Sequence, residues 1–273
     1  IAGQTYHFVA WKGSDLSKED ARQLANVALE QRIARKERGE KLGSYPKDGV
    51  PLREEIIQEV MLGNECIALI TRNAAGCLVL NTAQVMFVDI DFVNAPYLRG
   101  SLRGCLAALF TAWFRAQDTR NEEERALDYI RTWHANHSTW GIRVYLTKRG
   151  FRLLVTHDVF DPSSQEVQQI MHELGADKRY QLLCLSQSCF RARLTPKPWR
   201  IRLQRPSVRY PWETLEQELL QREWEASYHQ AIDRYDVCKF LETLGNAKTH
   251  PEVEQIKQVH DRYVLSGLGQ PLA

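Results

Sequence analysis

The chain has 273 residues, 44% hydrophobic and 26% charged, which excludes a disordered polymer and allows one large domain or two small ones. A formal net charge of +2 names no partner, so where the charges lie matters more than their sum. No segment reaches the roughly 18 uninterrupted apolar residues of a membrane helix, and Ile1–Trp11 lacks the basic and apolar regions of a secretion signal. The expectation is therefore a cytoplasmic or nucleoid protein without a membrane partner.

In chain order, Ser17 reads as the cap of an amphipathic helix that carries Ala21, Leu24, Ala28 and Ile33 at helical spacing. Residues 37–51 are charged and contain Gly and Pro, and read as an exposed loop. Arg53–Met61 reads as a second short helix. The period then changes. Cys66–Ile70 and Cys77–Leu80 flank Asn73-Ala74-Ala75-Gly76, which is a hairpin signal. Val85–Val88 is a continuous apolar run suited to a strand buried on both faces, and it ends in Asp89-Ile90-Asp91.

Further on, Leu102–Phe114 and Glu122–His134 read as helices. Arg143–Leu146 and Phe151–Val155 form a second hairpin with Gly150 in its turn. Pro162–Leu174 reads as a helix with proline at its start. Tyr180–Leu185 and Cys189–Leu194 read as a third strand pair, and the chain from Pro211 onward as mostly helical. The fold class expected is α+β. A mainly antiparallel sheet with flanking helices would span 64–205, between a helical N-terminal segment at 1–63 and a helical C-terminal segment at 206–273.

The six cysteines, Cys66, Cys77, Cys105, Cys184, Cys189 and Cys238, form no CxxC pair, and most sit in apolar runs. They read as small buried hydrophobes in a reducing compartment.

In a strand, positions i and i+2 share a face, so Asp89 and Asp91 project together while Val88, Ile90 and Phe92 point the other way. Two adjacent carboxylates repel each other and are costly to desolvate. A divalent cation relieves both costs, and all-oxygen ligands suit Mg²⁺ or Mn²⁺, as in phosphoryl and nucleotidyl transfer. Two solvated aspartates at a strand exit are the structural alternative. On the metal-site reading, replacing both with asparagine is expected to abolish nucleotidyl transfer and leave the fold intact.

From Ser186 to Tyr210 the chain has no Asp or Glu, but it carries Arg191, Arg193, Lys197, Arg200, Arg202, Arg205 and Arg209, interleaved with Phe190, Trp199 and Tyr210. Cations meet phosphates and aromatic planes meet bases, so the stretch reads as a nucleic-acid or nucleotide surface. The alternative is neutralisation in cis by the acidic residues of 211–240. His134 and His137 form an HxxH pair without zinc-site context, His157-Asp158 follows a strand, and His260-Asp261 reads as surface. No GxGxxG or P-loop pattern is present.

With these residues in place, the sequence resembles the archaeo-eukaryotic primase, or primase-polymerase, superfamily as a divergent member. Val88-Asp89-Ile90-Asp91-Phe92 matches its first motif. Thr147-Lys148-Arg149-Gly150-Phe151-Arg152 has the shape of its second, with Arg152 in the place of the phosphate-contacting histidine. The resemblance spans roughly 65–205. It implies an RRM-like core and a third metal carboxylate, for which Asp177 is the first candidate and Asp161 the second. It further implies that Lys148, Arg149 and Arg152 hold nucleotide phosphates. Arg191, Arg193, Lys197 and Arg200 follow as the basic strand and loop contacting nucleotide or nucleic acid. The function expected is metal-dependent nucleotidyl transfer on nucleotides and DNA or RNA. A non-catalytic binding module on the same fold, or a metal-dependent nuclease, are the alternatives.

Overall fold

Two four-stranded antiparallel sheets carry the apolar strands. The structure, a computed structural model, describes residues 8, 10, 12, 14, 16–40, 53–92, 121–246 and 248–273. The expected helix at 102–114, Cys105 and most of the expected loop at 37–51 lie outside the described residues. The elements are α1 (Lys18–Glu37), β1 (Glu55–Leu62), β2 (Glu65–Arg72), β3 (Leu78–Thr82), β4 (Phe87–Asp91), α2 (Glu122–Ala135), β5 (Ile142–Thr147) and β6 (Gly150–Val155). They continue with α3 (Gln165–Glu173), α4 (Lys178–Gln187), β7 (Phe190–Arg193), a 3₁₀ turn (Pro198–Arg200), α5 (Leu215–Ile232), β8 (Cys238–Leu244) and α6 (Pro251–Val264). One sheet has the order β1-β2-β3-β7 and the other β4-β6-β5-β8. The fold is α+β with mainly antiparallel sheets, as the sequence predicts.

Local chemistry accounts for most elements. Ser17 Oγ accepts from the Asp20 amide at 3.0 Å and starts α1. Asn121 and Glu124 close a capping box on α2. Hairpins β2–β3 and β5–β6 form as expected. Val85, Met86, Phe87 and Val88 are all fully buried in the main core, where β4 and β6 supply the densest stretch. Among the described residues, no helix is long and apolar enough to cross a membrane.

Several expectations are corrected. Residues 53–61 are not a helix. Gly63, at φ +61, turns the chain so that β1 pairs antiparallel with β2, and Ile56, Ile57 and Val60 supply the β-branched bulk a strand favours. Tyr180–Leu185 lies in helix α4, because Asp177 caps it and the buried residues Tyr180 and Cys184 are one helical turn apart. β7 pairs with β3 instead. Residues 238–244 form strand β8 against β5 inside the segment expected to be helical. The core therefore exceeds 64–205, since β1 and β8 complete its sheets. The 162–174 helix begins only at Gln165, capped by Ser164. Cys66 is exposed rather than buried.

Gly150 is the first residue of β6, not a turn residue, and stands opposite Asp91. A Cβ there would sit 1.9 Å from the Ile90 carbonyl oxygen. Only glycine lets β4 and β6 approach this closely at the end where Asp91 lies.

Candidate functional site: an acidic and basic cleft at the end of β4

Strand register places the acidic pair. Asp89 pairs with Arg152 on β6, Arg152 with Tyr145 on β5, and Tyr145 with Phe240 on β8, so one row of side chains crosses the second sheet. Two residues along, Asp91, Gly150, Thr147 and Cys238 form the next row on the same face. Val88 and Ile90 are buried on the opposite face. Asp89 and Asp91 therefore open into one hollow of about 290 Å³. Six cationic side chains and three carboxylates line it, so its sign is positive overall.

The three carboxylates differ. Both oxygens of Asp89 face Arg152, Oδ1 at 2.8 Å from Nε and Oδ2 at 3.4 Å from Nη2. Asp91 has no ion-pair partner among the described residues. Burial, then the charges of Asp177 and Asp89, raise its pKa above the ordinary carboxylate range. Asp177 joins the site because its backbone N–H donates to the Asp89 carbonyl at 2.9 Å. Its Oδ1 accepts from the Tyr180 amide, so one oxygen caps α4 and the other is left over. Asp161, the second candidate, binds Ser163 in an exposed turn and does not line the hollow.

The cations face these carboxylates. Arg193, Lys197 and Arg200 line the hollow, with Arg149 and Arg179. Burial lowers the pKa of Arg193, Lys197 and Arg200; Arg193 and Arg200 push Lys197 down further, and Arg193 and Arg149 push Arg200 down further. Because these cations outnumber the carboxylates of the hollow, the site favours an anion. None of the basic residues from Arg193 to Arg209 makes an ion pair among the described residues. Two acidic residues of α5 are engaged elsewhere, Glu218 and Glu225 with Arg222 and Glu225 also with Arg72, and none of the acidic residues of this helix pairs with the basic stretch among the described residues. The basic stretch is not neutralised in cis. Trp199 is 47% exposed beside it, with the Arg205 guanidinium 4.4 Å and Lys197 Nζ 5.7 Å from its ring centre.

Two expected site residues, Arg191 and Lys148, lie outside the hollow, and a third, Arg152, lies in its wall but is spent on Asp89. Arg191 points away from the cleft. Its Nη2 holds both oxygens of Glu54, at 2.8 and 2.7 Å, and the pair is almost buried. Lys148 is exposed in the β5–β6 turn and does not line the hollow. Arg152 is 1% exposed and buried beneath Asp89, so its guanidinium serves the carboxylate rather than an incoming phosphate. Burial opposes its charge, but the Asp89 carboxylate outweighs this and holds its pKa above the usual arginine value.

Sequence reasoning missed Arg179 and Thr147, which also line the hollow. Arg179 was detectable two residues after Asp177, but reading 180–185 as a strand hid the helix start that aims it. A second hollow of about 1000 Å³ shares Asp91, Asp177, Arg179 and Lys197 with the first and extends toward His172 and Leu182. One continuous cleft thus joins a small charged compartment to a roomier mixed one, a size suited to a nucleotide-scale ligand.

A salt titration separates cleft cations from structural ones. On the sequence-based expectation that a nucleic-acid strand binds here, Lys197→Ala with Arg200→Ala should flatten the log–log salt dependence of that binding by about 0.7–0.9 per lost phosphate contact. Arg191→Gln should leave that slope unchanged, since its guanidinium is spent on Glu54. The slope is read by fluorescence anisotropy of labelled DNA and RNA oligonucleotides.

No protein-family model, curated protein or solved structure matches this chain.

Proposed function

We propose that the chain is a metal-dependent nucleotidyltransferase of primase-polymerase type, acting on nucleoside triphosphates and a DNA or RNA strand. One observation carries this reading: Asp91 and Asp177 share a small hollow with Arg149, Arg179, Arg193, Lys197 and Arg200, none of which has an ion-pair partner among the described residues. Such a hollow complements a ligand that brings negative phosphates and a positive ion together.

The donor set fits Mg²⁺ or Mn²⁺ in one mode. Among the described residues no three His, Cys, Asp or Glu side chains are grouped to hold a metal by themselves. Magnesium is commonly held by one or two carboxylates together with substrate phosphates, so a complete protein cage is not needed. Asp91 and the second oxygen of Asp177 would hold it, with Asp89 beside them. When bound, a divalent ion neutralises phosphate oxygens and lowers the barrier to attack by a 3′-hydroxyl on the α-phosphate.

The protein groups have distinct tasks. Lys197 and Arg200 bind non-bridging phosphate oxygens, and Arg193 adds a third cation from the floor. Arg149 and Arg179 close the rim. The uncompensated stretch from Arg202 to Arg209, with Trp199 at its start, carries the strand by phosphate contact and base stacking.

The test has two parts. The first is Mn²⁺-dependent binding of a nucleoside triphosphate by calorimetry. The second is extension of a primed or unprimed template with labelled nucleotides. Metal-dependent binding and extension are expected, and no binding with or without metal would sink the reading. A second reading, a non-catalytic nucleotide or nucleic-acid binding module, is favoured by Arg152, which engages both oxygens of Asp89. Binding without extension selects it, and shortening of the labelled strand selects a nuclease.

A further inference from the structure

Beneath the cleft lies a buried chain of polar groups that the transfer chemistry does not itself use. Arg152 Nη1 donates to the Arg193 carbonyl at 2.8 Å and lies 3.4 Å from His260 Nε2, leaving Nε and Nη2 for Asp89. His260, expected on the surface, is fully buried on α6. Its Nδ1 lies 3.0 Å from Asp261 Oδ1. A guanidinium has no lone pair to offer, so Nε2 must accept and Nδ1 must carry the proton. Asp261 enforces that tautomer. It is fixed in turn by Tyr145 Oη at 2.7 Å and by Arg143 Nη2 at 2.8 Å. The imidazole packs against the rings of Phe87 and Tyr145, with centroids 5.2 and 5.0 Å away, which limits its rotation. Burial, with the nearby Arg152 charge, pushes its pKa down to about 4, against the opposing pull of Asp261. The ring is therefore neutral at physiological pH.

We infer that His260 and Asp261 are positioning residues for the cleft: they aim Arg152, which pins the Asp89 carboxylate and leaves Asp91 and Asp177 as the carboxylates open to a metal–phosphate ligand. This inference rests on the metal–nucleotide reading of the cleft. It makes α6, some 170 residues after β4 in sequence, part of the machinery that shapes the site. Metal sites elsewhere show the same dependence, since groups that orient a ligand often cost about 10–100-fold in affinity or activity when replaced.

Nitrogen-15 NMR of the imidazoles tests the geometry without any ligand. The His260 signal, assigned by its absence in His260→Gln, should show a protonated Nδ1 and a bare Nε2 at neutral pH. A protonated Nε2 would overturn the inference. Mn²⁺-dependent binding of a nucleoside triphosphate tests the consequence. His260→Leu should weaken it by about 10–100-fold, and His260→Gln, whose amide oxygen can still accept from Arg152, should restore most of the loss. Asp261→Asn, whose amide can donate to Nδ1 and flip the tautomer, should behave like His260→Leu. If the leucine variant does not fold, the glutamine and Asp261→Asn variants carry the comparison. Wild-type affinity in folded His260→Leu or Asp261→Asn would overturn the positioning role. A wild-type protein that binds no metal–nucleotide would instead overturn the reading of the cleft. The tautomer, and a double-mutant cycle of Asp89→Asn with Asp261→Asn in denaturant unfolding, would then still decide the network: coupling supports it, and additivity overturns it.

Discussion

Asp89→Asn is expected to lower stability by about 3 kcal/mol, whereas Asp91→Asn is expected to leave it equal or slightly higher. The two residues share a strand face, yet their partners separate them. Asp89 neutralises Arg152, which is buried against Arg193, Cys238 and His260. Removing one member of a buried pair leaves an uncompensated charge and costs roughly 3–5 kcal/mol. The lower end applies because the Asp89 side chain is 34% exposed. For a chain of this size that corresponds to a fall in Tm of roughly 6–12 °C.

Asp91 behaves oppositely. Its pKa is raised by burial and by the charges of Asp177 and Asp89. A carboxyl with a raised folded pKa contributes stability at pH values below its unfolded pKa and loses that contribution as pH rises through the folded pKa. Wild type should therefore lose stability relative to Asp91→Asn as pH rises from about 4. Metal-dependent nucleotide binding should fall in both variants, but only Asp89→Asn should also melt early. Thermal unfolding across pH, paired with calorimetry, makes the check. Equal melting temperatures for the two variants would show that Arg152 finds another counter-ion. This replaces the sequence-based expectation that both charges can be removed at no cost to the fold.

Gly150→Ala should disable the cleft while changing no charged group. The added Cβ would lie 1.9 Å from the Ile90 carbonyl oxygen, 2.9 Å from its carbon and 3.0 Å from Asp91 Cα. All three are backbone atoms, so β4 must shift away from β6. Overpacking of this kind costs about 1–3 kcal/mol, and occasionally more. On the proposed reading of the cleft, displacing Asp91 by about 1 Å should weaken nucleotide transfer by roughly a hundredfold. Gly63→Ala is the control: nothing lies within 4 Å of its Cβ, so only the positive φ is penalised. Transfer rates and denaturant midpoints of both variants are the measurements. An unaltered rate in Gly150→Ala would show that the strand end tolerates a shift of the acidic pair.

The acidic pair was legible because strand geometry needs only a period of two. Four apolar residues before Asp89 fixed a buried strand, and alternation then fixed which face the carboxylates share. The cleft cations were legible in part. A lack of acidic residues over Ser186–Tyr210 flagged Arg193, Lys197 and Arg200, which line the hollow. It also flagged Arg191, whose partner Glu54 is 137 residues away and left no local trace. Arg152 and His260 failed for the same reason. Burial of a cation depends on what packs above it, and β8 and α6 do that packing from the far end of the chain. β1 was missed because the turn at Gly63-Asn64, which folds Glu55–Leu62 back onto β2, decides for a strand where the residues themselves were read as a helix. α4 was misread because its apolar residues fit two periods, and the cap at Asp177 was the deciding feature.

The order of strands has a consequence for how the chain is made. β3 waits for β7, more than a hundred residues later, before the first sheet is complete. β5 waits for β8 before the second sheet is complete. Arg152 has its last partner only when His260 arrives. During synthesis at about 5–20 residues per second, the half-built sheets would stand with open edges for several seconds or longer. A ribosome that stalls before β8 would release a chain with a bare β5 edge and an arginine lacking part of its surroundings. Pairings this distant in sequence close slowly, so newly made copies should depend on chaperones more than the modest size of the fold implies.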